Sequence, residues 1–590
     1  MIHSNRITIA AFLVSVFSML SPAVANNTTY YIDAAGGADG NSGTSQTTAW
    51  QTVGKVNGST FGPGDKVLFK AGGSWTSQLT IRNSGAAGNP IIIGSYATGP
   101  KPKIIGPAGS SPVVSIDNCQ YIELMDLEIT NADQTAAGRK IGISLGAGNV
   151  ATQLRHIIIK NCYIHHIISA INNDNSLRYT GAIIPRGARY DSLIIEDNSM
   201  EDVYAGIYFS GGGAVRELPP TQANGSSNVI VQRNSVKRGQ GDGIVIANCY
   251  GAKVQYNFVD SCCKNGQLAF ANIWGSWLTN CVYQFNESCH SFPNADAEAF
   301  DDDWQCSNDT FQYNYGHNNS GGIFLLCSAN YRTPNPVLRY NISQNDNWAY
   351  CECGNYDALF LYNNTYYGIE RNIKNGAYGL ASWFRNNIFY RANAAISYSG
   401  TTGYSNNCYF QQGGTTPTDP NKITADPMFV SPGGAPSSGT SLAKLMQTLQ
   451  AAYAAYQLKP GSPCIDKGMA MAGNGGRDFG GAALNGIPDV GACEFNGIVG
   501  VPAAARMRTS EGMELKIMKT AGGYTASVNP ASAINGLSIA LFGIDGKRIS
   551  GISNAFDQSG NILLGQLKSG LYMARLQLGE RNEYMRFSAK

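Results

Sequence analysis

The stretch 286–327 reads NESCHSFPNADAEAFDDDWQCSNDTFQYNYGHNNSGGIFLLC and decides the fold. It contains one pattern twice: an Asn after an apolar β-rich run, a polar corner, then a second short strand opening on a small residue. In the later copy that strand is Gly322-Ile323-Phe324-Leu325-Leu326. In the earlier copy it is Ala299-Phe300-Asp301-Asp302-Asp303, preceded by Glu298. Three consecutive carboxylates where a neighbouring repeat places apolar residues are costly unless the molecule uses them.

Working outward, the same Asn follows a β-rich run at positions 161, 198, 234, 257, 286, 314, 341, 364, 387 and 407. The intervals 234–257, 341–364 and 364–387 are 23 residues, and others lengthen to 27–29 through insertions. A period of this size, with short β runs and no helical periodicity, predicts an all-β parallel solenoid whose core is completed by stacking of coils. An Asn at one corner of every coil can stack as a side-chain amide ladder, which explains the repeat without any catalytic role. Aligning the strands places Ile207, Ile244, Phe300 and Ile323 in one inward register. Asp301 and Asp303 then point outward together, their Cα atoms roughly 6.5–7 Å apart, and Asp302 points inward. Glu298 aligns with Asp242, two coils earlier.

The whole-chain balance narrows the function classes. Only 14% of the 590 residues are charged and the net charge is +2, which argues against a nucleic-acid partner. Residues 1–25 read as a signal peptide: Arg6, the apolar run Ile7–Leu20 and the small-residue site Ala23-Val24-Ala25. No later stretch reaches membrane-spanning length. The chain is expected to be secreted or displayed at the cell surface, as a monomer. Fourteen cysteines in an exported chain permit disulfides, but spacing does not assign them.

Residues 26–106 read as an N-terminal cap with the first coils, and 107–415 as the solenoid. Residues 416–498 form its C-terminal end, where the apolar stripe Leu442, Leu445, Leu449, Tyr453 and Tyr456 predicts a helix able to plug the stack. Residues 499–519 read as a linker, and 520–590 as a small β-sandwich with turns at Asp545-Gly546 and Ser569-Gly570.

The repeat body resembles the right-handed parallel β-helix of the pectin-lyase-like superfamily. The opening Gly64-Asp65-Lys66-Val67-Leu68-Phe69-Lys70 through Gly88-Asn89-Pro90 is similar to the start of many secreted bacterial members. Ser462-Pro463-Cys464-Ile465-Asp466 and Pro488-Asp489-Val490-Gly491-Ala492 resemble their common end. Leu541–Lys547 and Gly570-Leu571-Tyr572 resemble C-terminal sorting domains, which implies secretion machinery as a partner of the last module. Within these end motifs Cys464 and Cys493 are the expected bridge. The superfamily spans lyases, hydrolases, epimerases, esterases and adhesins, so the resemblance specifies architecture more than reaction. The Asn-Thr-Asp, Gly-His-Gly and Arg-Ile-Lys set of polygalacturonases is absent.

The acidic coil supports two chemistries. Paired carboxyls among Asp242, Glu298, Asp301 and Asp303 suit glycoside hydrolysis, because crowding lets one stay protonated as the acid. This reading needs no cofactor. Alternatively Asp301, Asp302 and Asp303 bind Ca²⁺ for elimination of an acidic glycan, with Lys264, Arg238 or Arg216 as base. Trp304 and Tyr208 are candidates to stack on sugar rings, and His317, Lys264 and His290 to contact substrate or move protons. A structural calcium site, a solvated acidic coil and a satisfied corner histidine are the bland counterparts. The favoured reading is an exported glycoside hydrolase acting on an extracellular polysaccharide. A calcium-dependent lyase is the alternative, and a non-catalytic glycan-binding adhesin is a third.

Overall fold

A computed structural model describes residues 27–495 apart from short stretches, chiefly 132–137, 148–151, 210–219, 370–376, 379–382, 391–402 and 412–415, and the strands of 504–589. The signal-peptide reading lies outside the described residues. Among them, no helix is long and apolar enough to cross a membrane.

The chain is a parallel β-helix. One turn illustrates the rest: Ile273–Thr279 lies on a front sheet, Val282–Gln284 on a flank sheet and Glu287–Cys289 on a back sheet. Phe300–Asp302 then returns to the front, beside Ile273–Thr279. Front and flank strands join into one 25-stranded sheet where Ser226–Gln232 pairs with Ile244–Tyr250, and the back sheet has 13 strands. Every pairing within these sheets is parallel, as in Val254↔Tyr283 and Tyr283↔Phe311 on the flank.

The corner between flank and back sheets explains the Asn repeat. Asn198, Asn234, Asn257, Asn286, Asn314, Asn341, Asn364, Asn387 and Asn407 are all fully buried. Each donates its backbone N–H and its Nδ2 to Oδ1 of the next, at 2.9–3.2 Å, from Asn198 to Asn407. Asp419 Oδ2 terminates the ladder by accepting both donors of Asn407. Asn161 is the exception, and the expected register slips there by one residue. It is exposed, while Cys162 takes the ladder position and donates its N–H to Asn198. The reason lies in the residue before each ladder Asn, which adopts a left-handed conformation: Asp197, Arg233, Tyr256, Phe285, Tyr313, Tyr340, Asn363, Asn386 and Asn406. Asn161 holds that left-handed site (φ 48°), a conformation Asn tolerates better than most residues. Between coils the left-handed residues stack where they are aromatic, Tyr256 on Phe285 at 5.0 Å and Phe285 on Tyr313 at 5.1 Å.

The strand 29–32 already pairs in register with 66–69, so the opening segment is part of the stack. Trp50, Val53, Val56 and Phe61 cover the end of its core. The helix Leu445–Ala455 forms where the apolar stripe places it, but it does not plug the far end. It lies along the side of the solenoid, packed among Tyr313, Tyr315, Tyr340 and Ile342, with the Tyr456 hydroxyl donating to Gln344 at 2.7 Å. The tyrosine-rich corner gives that stripe a longer apolar partner than the last coil offers. Residues 504–508 and 514–520 are strands rather than linker, part of a 4-stranded antiparallel sheet that shares a core with a 3-stranded one. Cys464 and Cys493 are free and buried, not bridged. The Cys464 thiol contacts Cys408, and Cys493 lies against the Tyr453 carbonyl. Cys327 is disulfide-bonded, with Cys353 opposite it in the next strand.

Candidate active site

On the front sheet, alternation divides the acidic strand between two environments. Ile207, Ile244, Ile273, Phe300 and Phe324 are in register and form the inward column; Phe324, not Ile323, is the partner of Phe300. The outward column is Tyr208, Val245, Trp274, Asp301 and Leu325. Asp302 falls on the inward side with Gly275 and Leu326. Asp301, Asp302 and Asp303 therefore cannot converge on one calcium ion, which corrects the metal set expected from sequence.

Asp301 and Asp303 do share the outward face, yet Asp301 is only 5% exposed and Asp303 half-buried. The expectation that both project into solvent fails because the face is roofed. The short helix Asn175–Tyr179 and the turn at 292–297 fold over it. Tyr179 packs with Ile184, Tyr208, Val245 and Trp274 into a small apolar cluster outside the main core. Tyr208 meets Tyr179 and Trp274 edge-on at 5.7 and 6.2 Å. An aromatic wall thus leads along the front sheet to the carboxylates.

Asp242 and Glu298 align on this sheet, two rungs apart, as the register requires. Both are buried, at 1% and 2% exposure. Asp242 is firmly held: its Oδ1 accepts from Trp274 Nε1 at 2.7 Å and from Ala271 N–H at 3.2 Å, and Arg178 Nη1 lies 3.8 Å from Oδ2. Burial pushes its carboxyl up to about 6, with Arg178 and Trp274 opposing. Arg178 itself is fixed by the Ala269 carbonyl and by the Phe270 ring, 4.6 Å away. Through these contacts Asp242 holds the Trp274 indole in place.

Two residues that the sequence reading did not single out complete the site, Asp296 and Arg178. Asp296 stands half-buried in the turn before the acidic strand, its N–H bonded to Asn294 Oδ1 at 2.7 Å. Its charge acts on Asp242, Asp301 and Asp303 together. Asp301 is driven far above the usual carboxylate range, first by burial and then by Asp303, Asp296 and Glu298. Asp303 is raised too, by burial and by Asp296, with Arg178 opposing. Crowding of this kind leaves fewer charges than carboxyls near neutrality, so acid and base forms coexist within one cluster.

The remaining candidates lie elsewhere. His317 is on the back sheet, fully buried, with Nε2 3.0 Å from Glu287 Oε1. Burial holds its imidazole down at about 3. His290 pairs with Asp260 at 2.9 Å and with the Ser437 carbonyl. Both are covered by the segment that leads into the helix Leu445–Ala455, so neither reaches the acidic cluster. Lys264 sits on a turn with its ammonium 5.6 Å from the Phe292 ring. Trp304 remains 40% exposed beside Trp277 and is the site's one strongly exposed tryptophan among those described.

No family model matches the chain. It is 27% identical to a lacto-N-biosidase of Bifidobacterium longum subsp. longum, an alignment that takes in 82% of this chain and 37% of that relative's length. The chain therefore spans little more than a third of the curated relative it matches. Among solved structures, the native GH136 lacto-N-biosidase from Eubacterium ramulus is 22% identical, with 60% of this chain and 67% of that one covered and a TM-score of 0.48. The complex of XylC with xylose is 11% identical at a TM-score of 0.47, covering 79% and 98%.

Proposed function

We propose that the chain is a secreted glycoside hydrolase whose reacting pair is Asp296 and Asp303. The observation that carries this reading is the difference in access within one carboxyl cluster. A glycosidase needs two carboxyl groups flanking the scissile bond, one protonated and one ionised. Asp242, Glu298 and Asp301 are almost wholly buried, whereas Asp296 and Asp303 are half-buried at the end of an aromatic wall. Burial and the charge of Asp296 raise the proton affinity of Asp303. Trp274, Tyr208 and Trp304 offer apolar ring faces to a sugar. The sequence similarity to a lacto-N-biosidase supports a hydrolytic rather than an eliminative reaction, and the target is a glycan outside the cell.

The test is digestion of a chromogenic lacto-N-bioside and a panel of extracellular polysaccharides, following reducing ends and ultraviolet absorbance together. New reducing ends without an unsaturated product are expected. Asp296→Asn and Asp303→Asn should each lower kcat about 10²–10⁴-fold, the usual cost of losing proton transfer. Absorbance at the wavelength of an unsaturated uronate would refute hydrolysis. Full activity in both variants would move the chemistry off this coil.

A further inference from the structure

Behind the acidic strand, inside the solenoid, lies a second polar pocket that the proposed chemistry does not use. Asp302 points into it, in register with Gly275 on the preceding rung. Because Gly275 has no side chain, the Tyr283 hydroxyl occupies its place: a Cβ there would lie 2.4 Å from that oxygen. Cys306 and Asp309 follow the strand and turn back to the same spot. One ligand-type atom from each of Asp302, Cys306 and Asp309 lies within 4.8 Å of the others. None of the four side chains is more than 1% exposed.

The Tyr283 hydroxyl has no hydrogen-bond partner, while Asp302, Cys306 and Asp309 lie within bonding reach of one another and Asp309 Oδ1 accepts from Cys281 N–H at 2.6 Å. A buried polar group left without a partner is ordinarily destabilising. A proton shared between Asp302 and Asp309, with the Cys306 thiol as a further donor, would serve the carboxyls but leave the Tyr283 hydroxyl unmet. A cation satisfies both carboxylates and the thiolate together. Two other groups with ligand chemistry, Asp260 with Cys289 and His290 and Glu287 with Cys289 and His317, differ in kind. Their imidazoles are already hydrogen-bonded to carboxylates at 2.9 and 3.0 Å.

We propose that this interior pocket binds one divalent transition-metal ion of the zinc class, held by Asp302, Cys306 and Asp309. Two carboxylate oxygens and one thiolate make a mixed hard and soft donor set that suits zinc and disfavours calcium or magnesium. Binding displaces the Cys306 thiol proton, and any proton the carboxyls share, to solvent. The ion anchors the inner side of the strand whose outer side carries Asp301 and Asp303, so it braces the acidic cluster without touching substrate.

The full chain is dialysed against chelator, then reloaded with zinc or cobalt(II). About one ion per chain is expected by elemental analysis, with a higher Tm on reloading. Cobalt should give a thiolate-to-metal charge-transfer band in the near ultraviolet. Cys306→Ser should abolish the band and Cys289→Ser leave it intact; Asp309→Asn should weaken metal affinity at least tenfold. A chain that holds no ion after reloading and shows no Tm change overturns the proposal in favour of a shared proton. A band that survives Cys306→Ser, or vanishes with Cys289→Ser, overturns it by placing the metal on the back sheet. Should Cys306→Ser fail to fold, ion content and Tm of the unaltered chain still decide.

Discussion

Asn286→Ala isolates what the amide ladder contributes. Asn286 Oδ1 accepts the Asn257 N–H at 2.9 Å and its Nδ2 at 3.0 Å, while Asn286 Nδ2 donates to Val254 O at 2.9 Å and to Asn314 Oδ1 at 3.0 Å. Alanine removes all four bonds at a fully buried position. The Asn257 N–H loses its acceptor outright, whereas Asn257 Nδ2 keeps Val231 O and Asn314 Oδ1 keeps the N–H of residue 286. Four bonds at a net of about 0.5–1.5 kcal/mol each, with one N–H left orphaned at about 1–3 kcal/mol, give a loss of about 3–9 kcal/mol. That is a large fraction of the 5–15 kcal/mol that usually holds a fold together. Asn161→Gly is the control, because glycine keeps the left-handed conformation that alanine would strain. The Asn161 side chain is exposed and makes only the bond to Asp126, so a change within about 0.5 kcal/mol is expected. Urea unfolding of both variants, followed by far-ultraviolet circular dichroism, measures the pair. A loss below about 1 kcal/mol for Asn286→Ala, or equal losses in the two variants, would refute the ladder as a source of stability.

Three further outcomes are expected. Asp346 accepts from Asn319 N–H at 2.9 Å, from Asn319 Nδ2 at 2.8 Å and from Ser343 at 2.7 Å, and burial lifts its carboxyl to about 7. The folded chain holds this proton between pH 4 and 7 when the unfolded chain has released it, so stability is full below about pH 4 and falls as pH rises through 7. Asp346→Asn should match the parent at low pH and exceed it at pH 8, by up to about 4 kcal/mol; a difference independent of pH would contradict this. His317→Gln should lower Tm yet leave the pH–rate profile unmoved, since His317 is buried and neutral away from the carboxyl cluster; a shifted limb would return it to the site. Asp242→Asn should raise KM more than it lowers kcat, because it frees Trp274 rather than removing a reacting group; an equal fall in kcat and kcat/KM would make Asp242 a reacting acid.

The solenoid was legible because its causes are local and repeated. A β-rich run followed by an Asn recurs nine times in the ladder, three of its intervals being 23 residues, and each recurrence reports the same corner. The slip at Asn161 shows how far the pattern can be read. Asn suits two adjacent corner positions for different reasons, as a ladder amide and as a left-handed residue. The later doublets Asn363-Asn364, Asn386-Asn387 and Asn406-Asn407 display both uses side by side. A single Asn before Cys162 does not say which use it serves. The helix at 445–455 was equally legible as a helix, but its docking surface is a tyrosine-lined corner assembled from coils a hundred residues earlier, which no local pattern encodes.

The site was half legible for a related reason. Alternation assigns Asp301 and Asp303 to one side of the strand and Asp302 to the other, because a strand's side chains alternate whatever surrounds them. It says nothing about what covers that side. The cover comes from insertions, and insertions are where the period breaks: 257 to 286 and 286 to 314 run to 29 and 28 residues instead of 23. The second surplus contains the turn bearing Asp296, and the insertion between 161 and 198 supplies Arg178. Loops displaced from a rigid rung are free to bring charge to it, so in a repeat protein the lengthened intervals are the places to search for partners of an anomalous strand. Applied here, that rule points to Asp296 from the sequence alone. It leaves Asp302 and Asp309 unexplained by any substrate, because both belong to the interior of the coil, and it is this remainder that calls for an ion within the solenoid.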